Sequence, residues 1–395
     1  MIDHLRNAAH LYRDGRFDEA MEELRILLES GSAPPLAYER MTDIHKIQLR
    51  LDQGEQFFRG LQVNYPADGW VLIELARIRF LKGLPLSALR LLHDANRSFE
   101  QSHDELGSAY VAYYQLFINA MTGDVRNAAN ELAAIRSQFE KVGDDRGVAR
   151  CHILAGNLRE FLGDYAGAKD EYLLALTTVE RMGDLDRMAA LYLDLANCDH
   201  RTGRVEDARR HVLHARGLAH QLQSKLLMIY VLTQFASIEQ LAENYEPARA
   251  ALTEALAIAE SFHFDYGRCD VLIQLGKLEL STGNLSQASA TLTMVHQMAL
   301  AINDTQLILE AATALLQSLI AEQEYDNAAN VAQTAAGLLI DITAGIPDAT
   351  MREAVINAHS SLIHIIKGIF QRLERTDGLR WLDQAFPEAL LDGRA

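Results

Sequence analysis

A six-residue phrase, Gly163-Asp164-Tyr165-Ala166-Gly167-Ala168, returns along the 395-residue chain at a fixed distance, and that return limits the fold more than any single motif does. Gly123-Asp124-Val125-Arg126-Asn127-Ala128 precedes it, and Gly203-Arg204-Val205-Glu206-Asp207-Ala208 and Gly283-Asn284-Leu285-Ser286-Gln287-Ala288 follow. Weaker copies begin at Glu243 and Gln323 on the same 40-residue grid, while Gly83, Leu49 and Gly15 continue it backwards at a spacing of 34. A repeat of roughly 20–50 residues marks a chain whose units stack on their neighbours and do not each build a separate core.

Between these turns the apolar residues recur at three- and four-residue spacing. Leu5, Ala8, Ala9, Leu11 and Tyr12 lie before Gly15, and Met21, Leu24, Leu27 and Leu28 lie after it. That is the pattern of an amphipathic helix pair, and no segment shows a competing strand period. Turn slots at 15, 49, 83, 123, 163, 203, 243, 283 and 323 therefore predict nine helix pairs. Five positions past each slot stands a small residue: Ala20, Gly54, Ala88, Ala128, Ala168, Ala208, Ala248, Ala288 or Ala328. It lets two antiparallel helices approach closely, and larger residues such as Leu24, Phe58, Leu92, Leu132, Tyr172, Val212, Leu252 and Leu292 are expected to fill the seam. Asp104, Asp144, Asp184 and Asp304 share the grid and are expected to cap the first helix of the following pair. The six extra residues of the later repeats are expected to lengthen helices and not loops.

On these residues the chain resembles the tetratricopeptide repeat family across roughly residues 1–342. Leu154-Ala155-Gly156-Asn157 with Gly163-Asp164-Tyr165 and Ala168 fits the repeat best, and Leu195-Ala196-Asn197 with Gly203 and Ala208 comes next. The 40-residue variety is similar to the arrays of Rap-type peptide-responsive regulators, kinesin light chains, Pins-type polarity adaptors and MalT-type regulators. Leu116 and Leu316 depart from the family's Gly or Ala, and the second repeat lacks its turn glycine. The resemblance implies an all-α, right-handed tetratricopeptide-like α-solenoid of about nine helix pairs over residues 1–342, with a C-terminal helical cap over 348–395.

The resemblance also implies that the first helix of each pair lines a concave groove. Slot by slot, that places Tyr110, Tyr113 and Phe117, then Arg150, Ile153, Asn157 and Glu160, then Leu193, Asn197, His200 and Arg201, then Tyr230, Thr233, Ser237 and Gln240 along it. The partner-binding candidates are Tyr110, Tyr113, Phe117, Arg150, Asn157, Asn197, His200, Arg201, Tyr230 and Ser237. Asn157 and Asn197 resemble the family's grip on a peptide backbone, since an amide both donates and accepts. Arg150 and Arg201 suit a ligand carboxylate. The same polar residues also suit a solvated wall, and the aromatic trio also suits an ordinary core.

Past the ninth pair, Thr343-Ala344-Gly345-Ile346-Pro347-Asp348 breaks the grid, with Asp348 as a cap, and one long helix is expected over 349–375. Its apolar positions Met351, Val355, Ala358, Leu362, Ile365, Ile369 and Leu373 run close to a heptad, which suits either a cap on the array or a seam for a homodimer or another partner. Trp381 and Phe386, on a short last helix, are expected to pack back on it.

A formal charge of −17 speaks against a nucleic-acid surface and favours a basic or neutral partner. Cys151, Cys198 and Cys269 lie far apart, as free thiols of a reducing compartment do, and no signal segment or membrane span is visible, so a cytoplasmic protein is expected. Phosphate-loop, zinc-protease and paired-cysteine signatures are missing, and no metal, cofactor or catalytic residue is expected. His211 and His214, near His200 and His220, are expected on a solvated surface. Cys198 beside Asp199-His200 is the sole basis for an enzyme reading, which ranks third. The expectation is a non-enzymatic protein- or peptide-binding adaptor or scaffold; the alternative is a peptide-sensing regulator whose superhelix changes shape on binding.

Overall fold

The computed structural model describes residues 2–31, 33–121, 128–344 and 349–386. Among them are 21 helices and no strand. The helices follow one another as pairs: α1 (Ile2–Arg13) with α2 (Phe17–Glu29), α3 (Pro35–Ile47) with α4 (Leu51–Asn64), α5 (Gly69–Leu81) with α6 (Pro85–Ser102), and α7 (Glu105–Met121) with α8 (Ala128–Val142). Then come α9 (Asp145–Phe161) with α10 (Tyr165–Met182), α11 (Leu185–Arg201) with α12 (Val205–Gln221), and α13 (Lys225–Leu241) with α14 (Tyr245–Ser261). The last pairs are α15 (Asp265–Ser281) with α16 (Leu285–Ile302) and α17 (Thr305–Ala321) with α18 (Tyr325–Ala344), before α19 (Ala349–Ala358), α20 (Ser360–Arg372) and α21 (Thr376–Ala385). The first five helices have 12–14 residues and those from α6 onward to α18 have 15–20, so the longer repeats are longer in their helices.

The turn within each pair is made by one residue in the left-handed region. Gly15, Gly83, Gly163, Gly203 and Gly283 take φ of 72°, 73°, 77°, 73° and 81°, and Leu49, Glu243 and Gln323 take 57°, 61° and 64° despite their side chains. The slot at 123 lies outside the described residues. All nine small residues five positions on are buried, and a Cβ on Gly156 would overlap the ring of Tyr172. The expected seam residues Leu24, Phe58, Leu92, Leu132, Tyr172, Val212, Leu252 and Leu292 are buried with them.

A second left-handed residue, at His103, Gly143, Gly183, Gln223, His263 and Asn303, separates one pair from the next. The expected aspartate caps follow it. Gly107 N–H donates to Asp104 at 2.9 Å, Gly147 N–H to Asp144 at 3.0 Å, Arg187 N–H to Asp184 at 3.4 Å and Leu307 N–H to Asp304 at 2.8 Å. Ser224 and Asp68 cap α13 and α5 in the same way, receiving Leu227 N–H at 3.2 Å and Trp70 N–H at 2.9 Å.

The chain divides into two compact units. Unit 1 is built from Met1–Thr122, Asn127–Asn157 and Ala166–Val231; unit 2 is built chiefly from Leu232–Ala395, with Leu158–Tyr165. In unit 2 the C-terminal segment departs from the single long helix expected. It breaks at His359, and α20 and α21 pack on α18. The buried residues of α20, Leu362, Ile363, Ile366, Ile369 and Phe370, form a stripe wider than a coiled-coil seam. These residues, with Ile356 of α19, belong to the core cluster of the unit, and Val355 is 0 % exposed. Phe386 is fully buried as expected, whereas Trp381 stays 40 % exposed. The expected cap at Asp348 and the side chains of Met351 and Ala358 lie outside the described residues.

Candidate functional site

In unit 1 one face of α3 presents Glu39, Arg40, Asp43 and Lys46, at the three- and four-residue spacing that aligns side chains on a helix. Helices more than a hundred residues further on answer them. Arg150 of α9 donates to Glu39, Arg187 of α11 donates to the same oxygen at 2.6 Å, and Arg146 stands 3.7 Å from it. Arg40 meets Asp184 at 3.1 Å, and Lys46 meets Asp186 at 2.7 Å. On the near side Arg77 of α5 reaches Asp43 at 2.8 Å and pairs with Glu74. The α1–α2 turn follows the same course: a Cβ on Gly15 would lie 3.2 Å from the carbonyl oxygen of Gln221, at the end of α12. Unit 1 is therefore closed on itself by ion pairs, beyond the nearest-neighbour contacts of a plain repeat stack.

Burial alone would push these carboxyls up. Arg150, Arg187 and Arg146 outweigh it at Glu39 and hold that carboxyl well below its usual range. At Asp184, burial is outweighed by Arg40, Arg187 and Arg146, and the value falls to about 2. Arg150 is also enclosed by the rings of Tyr114, Tyr110 and Tyr113, with centroids at 5.5, 5.8 and 5.9 Å.

This arrangement decides where the sequence-based candidates sit. Tyr110 and Tyr113 are 6 % and 4 % exposed, and half-buried Phe117 stacks on Tyr113 at 6.2 Å, so the aromatic trio is core. Arg150 does hold a carboxylate, but it is Glu39 of the same chain. Asn157 accepts the Tyr172 hydroxyl at 2.8 Å. Asn197, His200 and Tyr230 are half-buried, and Arg201 is exposed.

His211 differs from the solvated surface expected for it. It is half-buried, 3.4 Å from Asp199, and its ring faces Tyr192 at 5.9 Å. Asp199 in turn is fully buried between Lys169 at 2.7 Å and Arg204 at 2.9 Å. His214 is exposed, as expected, and stacks on the other side of Tyr192 at 5.1 Å. Among the described residues no group of three His, Cys, Asp or Glu side chains is placed to hold a metal ion. Cys198 is fully buried, and burial pushes the Cys151 thiol up to about 12 and the Cys269 thiol to about 11, far from the thiolate a nucleophile needs.

Unit 2 carries a different surface on its odd-numbered helices. The Ser237 hydroxyl donates to Gln274 at 3.4 Å, and the Gln240 amide donates to the Lys277 carbonyl at 3.2 Å and to Ser281 at 2.7 Å. The Gln274 amide donates to Glu310 at 3.4 Å, and the Lys277 ammonium to the same carboxylate at 2.8 Å. The result is a ladder of amides, hydroxyls and charges, half-buried except for exposed Ser281, running from α13 through α15 to α17. Next to it Asp270 is pushed up to about 7, by burial and by the Glu310 charge, which Lys277 only partly offsets. An acid raised in the folded state costs nothing below its unfolded value near 3.8, weakens the fold progressively as pH rises from there to about 7, and exacts its full penalty above that. Asp270→Asn is therefore expected to stabilise unit 2 by about 1–2 kcal/mol at pH 8 and by nothing measurable near pH 3.5, read by urea unfolding followed at Trp381 in a Trp70→Phe chain.

The fold and these inner faces define the class: a tetratricopeptide-like helical repeat protein. A solved Rap protein complexed with competence and sporulation factor shares that fold; it aligns over 82 % of this chain and 99 % of its own, at 14 % identity and a TM-score of 0.58. The apo form of RapI aligns over 78 % and 99 %, at 14 % identity and a TM-score of 0.46, and yeast Tom70 over 100 % and 97 %, at 11 % and 0.40. No known family and no curated protein matches the chain in sequence. Among the described residues no helix is long and apolar enough to cross a membrane.

Proposed function

We propose that the chain is a non-enzymatic adaptor that binds an extended segment of a basic or neutral partner along the ladder of α13, α15 and α17. The observation that carries this is the ladder itself. Its groups are half-exposed, and each amide both donates and accepts, so it can exchange an internal bond for one to a peptide unit. Neighbouring helices about 9 Å apart would meet an extended segment, rising about 3.3 Å per residue, once every third residue. Ser237 and Gln240 belong to this ladder. The candidates of unit 1, Tyr110, Tyr113 and Arg150, have partners within that unit and are not part of the ladder. The free, buried cysteines fit work in the reducing cytoplasm.

The test is affinity capture from native lysate, comparing the intact chain with a Gln274→Ala/Lys277→Ala variant whose melting temperature is unchanged. Loss of a specific partner from the variant supports the ladder; a partner retained in full overturns it.

A second reading, a peptide-sensing regulator, is favoured by the ionic closure of unit 1, because a ring of ion pairs is an element with a closed and an opened state. The shared fold of a Rap protein solved with a bound factor agrees with it. Captured partner should then change hydrogen exchange in α3, and unchanged exchange there removes this reading.

A further inference from the structure

Unit 1 contains a cavity that borders the ionic closure, sharing Glu39 and Arg146 with it, and lies apart from the ladder. It measures about 200 Å³ and lies among α3, α5, α7 and the start of α9. Its walls include the rings of Trp70 and Tyr110, whose centroids are 5.5 Å apart, and three carboxylates, Glu39, Glu74 and Asp144. Among the described residues of the wall, Arg146 is the single cationic side chain.

We propose that this cavity takes a cationic side chain, arginine or lysine, of a partner peptide. This deepens the partner-binding reading by naming an anchor residue, but it stands on different residues. The carboxylates are unequally satisfied. Glu39 has Arg150, Arg187 and Arg146 around it, whereas Glu74 is paired with Arg77 from its own helix. Asp144 accepts the Tyr110 hydroxyl at 2.8 Å and Gly147 N–H at 3.0 Å, and among the described residues it has no cationic partner. Burial raises the Glu74 carboxyl, and the nearby Glu39 and Asp43 charges raise it further against the pull of Arg77, so a cation arriving at Glu74 would meet a site short of positive charge.

The alternatives fit worse. An acidic side chain would face three carboxylates across a small space, and a purely apolar one would desolvate them without replacing water. A cation entering the cavity recovers its own desolvation from Asp144 and Glu74 and gains the ring faces of Trp70 and Tyr110.

Trp70 and Trp381 are the two tryptophans of the chain, so in a Trp381→Phe protein the emission of Trp70 reports this cavity alone. Titration with N-acetylargininamide or N-acetyllysinamide is expected to change that emission saturably, and titration with N-acetylnorleucinamide is not. Asp144→Asn, which keeps the helix cap, is expected to weaken the arginine probe about tenfold, and so is Glu74→Gln. Arg146→Gln is expected to tighten it about threefold, by removing a like charge. No saturable response, an equal response to the norleucine probe, or unchanged affinity in both carboxamide variants with unit 1 still folded would overturn the proposal. The Gln274→Ala/Lys277→Ala variant should bind the probe normally, so the cavity and the ladder fail or stand separately.

Discussion

Replacing Glu39 by glutamine is expected to destabilise unit 1 by about 3–5 kcal/mol, because removing one partner of a buried ion pair strands the other in a medium that solvates it poorly. Arg150, itself 4 % exposed, would keep three tyrosine rings but lose its carboxylate, while Arg146 and Arg187 would retain Asp184. Urea unfolding followed at Trp70 in the Trp381→Phe background reads the loss, and a change below about 1 kcal/mol would mean that the closure does not hold the unit together. The effect should also be cooperative. The Glu39–Arg150 bond joins residues 111 apart in sequence, so opening it releases every repeat between them, and unit 1 should unfold in one transition where a plain array would fray from its ends. The pH dependence has a definite sign. Glu39 and Asp184 are depressed in the folded state, so their contribution is fully present above the unfolded values of 4.5 and 3.8. It is lost as pH falls through the folded values, near 2 for Asp184, and the glutamine variant should lose the Glu39 share of that acid sensitivity.

How much of this the sequence disclosed depends on the range of the interaction. The turns, the small residue five positions on and the aspartate caps are local: each is a residue type at a fixed offset from a helix end, so Ala168, Asp144 and Asp304 could be read from the repeat alone. The second left-handed position was harder to see. Glycine marks it at Gly143 and Gly183, but His103, Gln223, His263 and Asn303 adopt the same conformation with side chains that hide it. The ionic closure was not legible at all, because Glu39 and its arginines are brought together only by the curvature of the stack. Read singly, Arg150 suits a ligand carboxylate; beside Glu39 it is an internal strut. The one available signal was the run of charge in α3, where Glu39 and Asp43 sit in a helix otherwise packed by Tyr38, Met41, Ile44 and Ile47. Such charges inside a small helix are costly unless something distant pays for them.

Phe386→Ala is expected to cost unit 2 about 3–5 kcal/mol, the price range of a fully buried phenylalanine cut to its Cβ. Phe386 is 0 % exposed, and its backbone carbonyl accepts the Lys367 ammonium at 2.9 Å, which also meets Asp383 at 2.7 Å. The end of α21 thus supplies both apolar cover and the acceptor for a cation on α20. Unfolding followed at Trp381 in a Trp70→Phe chain measures the loss, and Lys367→Met in the intact chain should be near neutral, since a methionine needs no acceptor. The same variant separates the two roles open to the apolar stripe of residues 349–375. As a cap, the stripe is held by its own chain, and Phe386→Ala should lower stability while the protein stays at its original sedimentation coefficient in dilute solution. A Phe386→Ala protein of unchanged stability would instead show that α21 contributes little to the core, leaving the stripe of α20 available to a second copy or another partner.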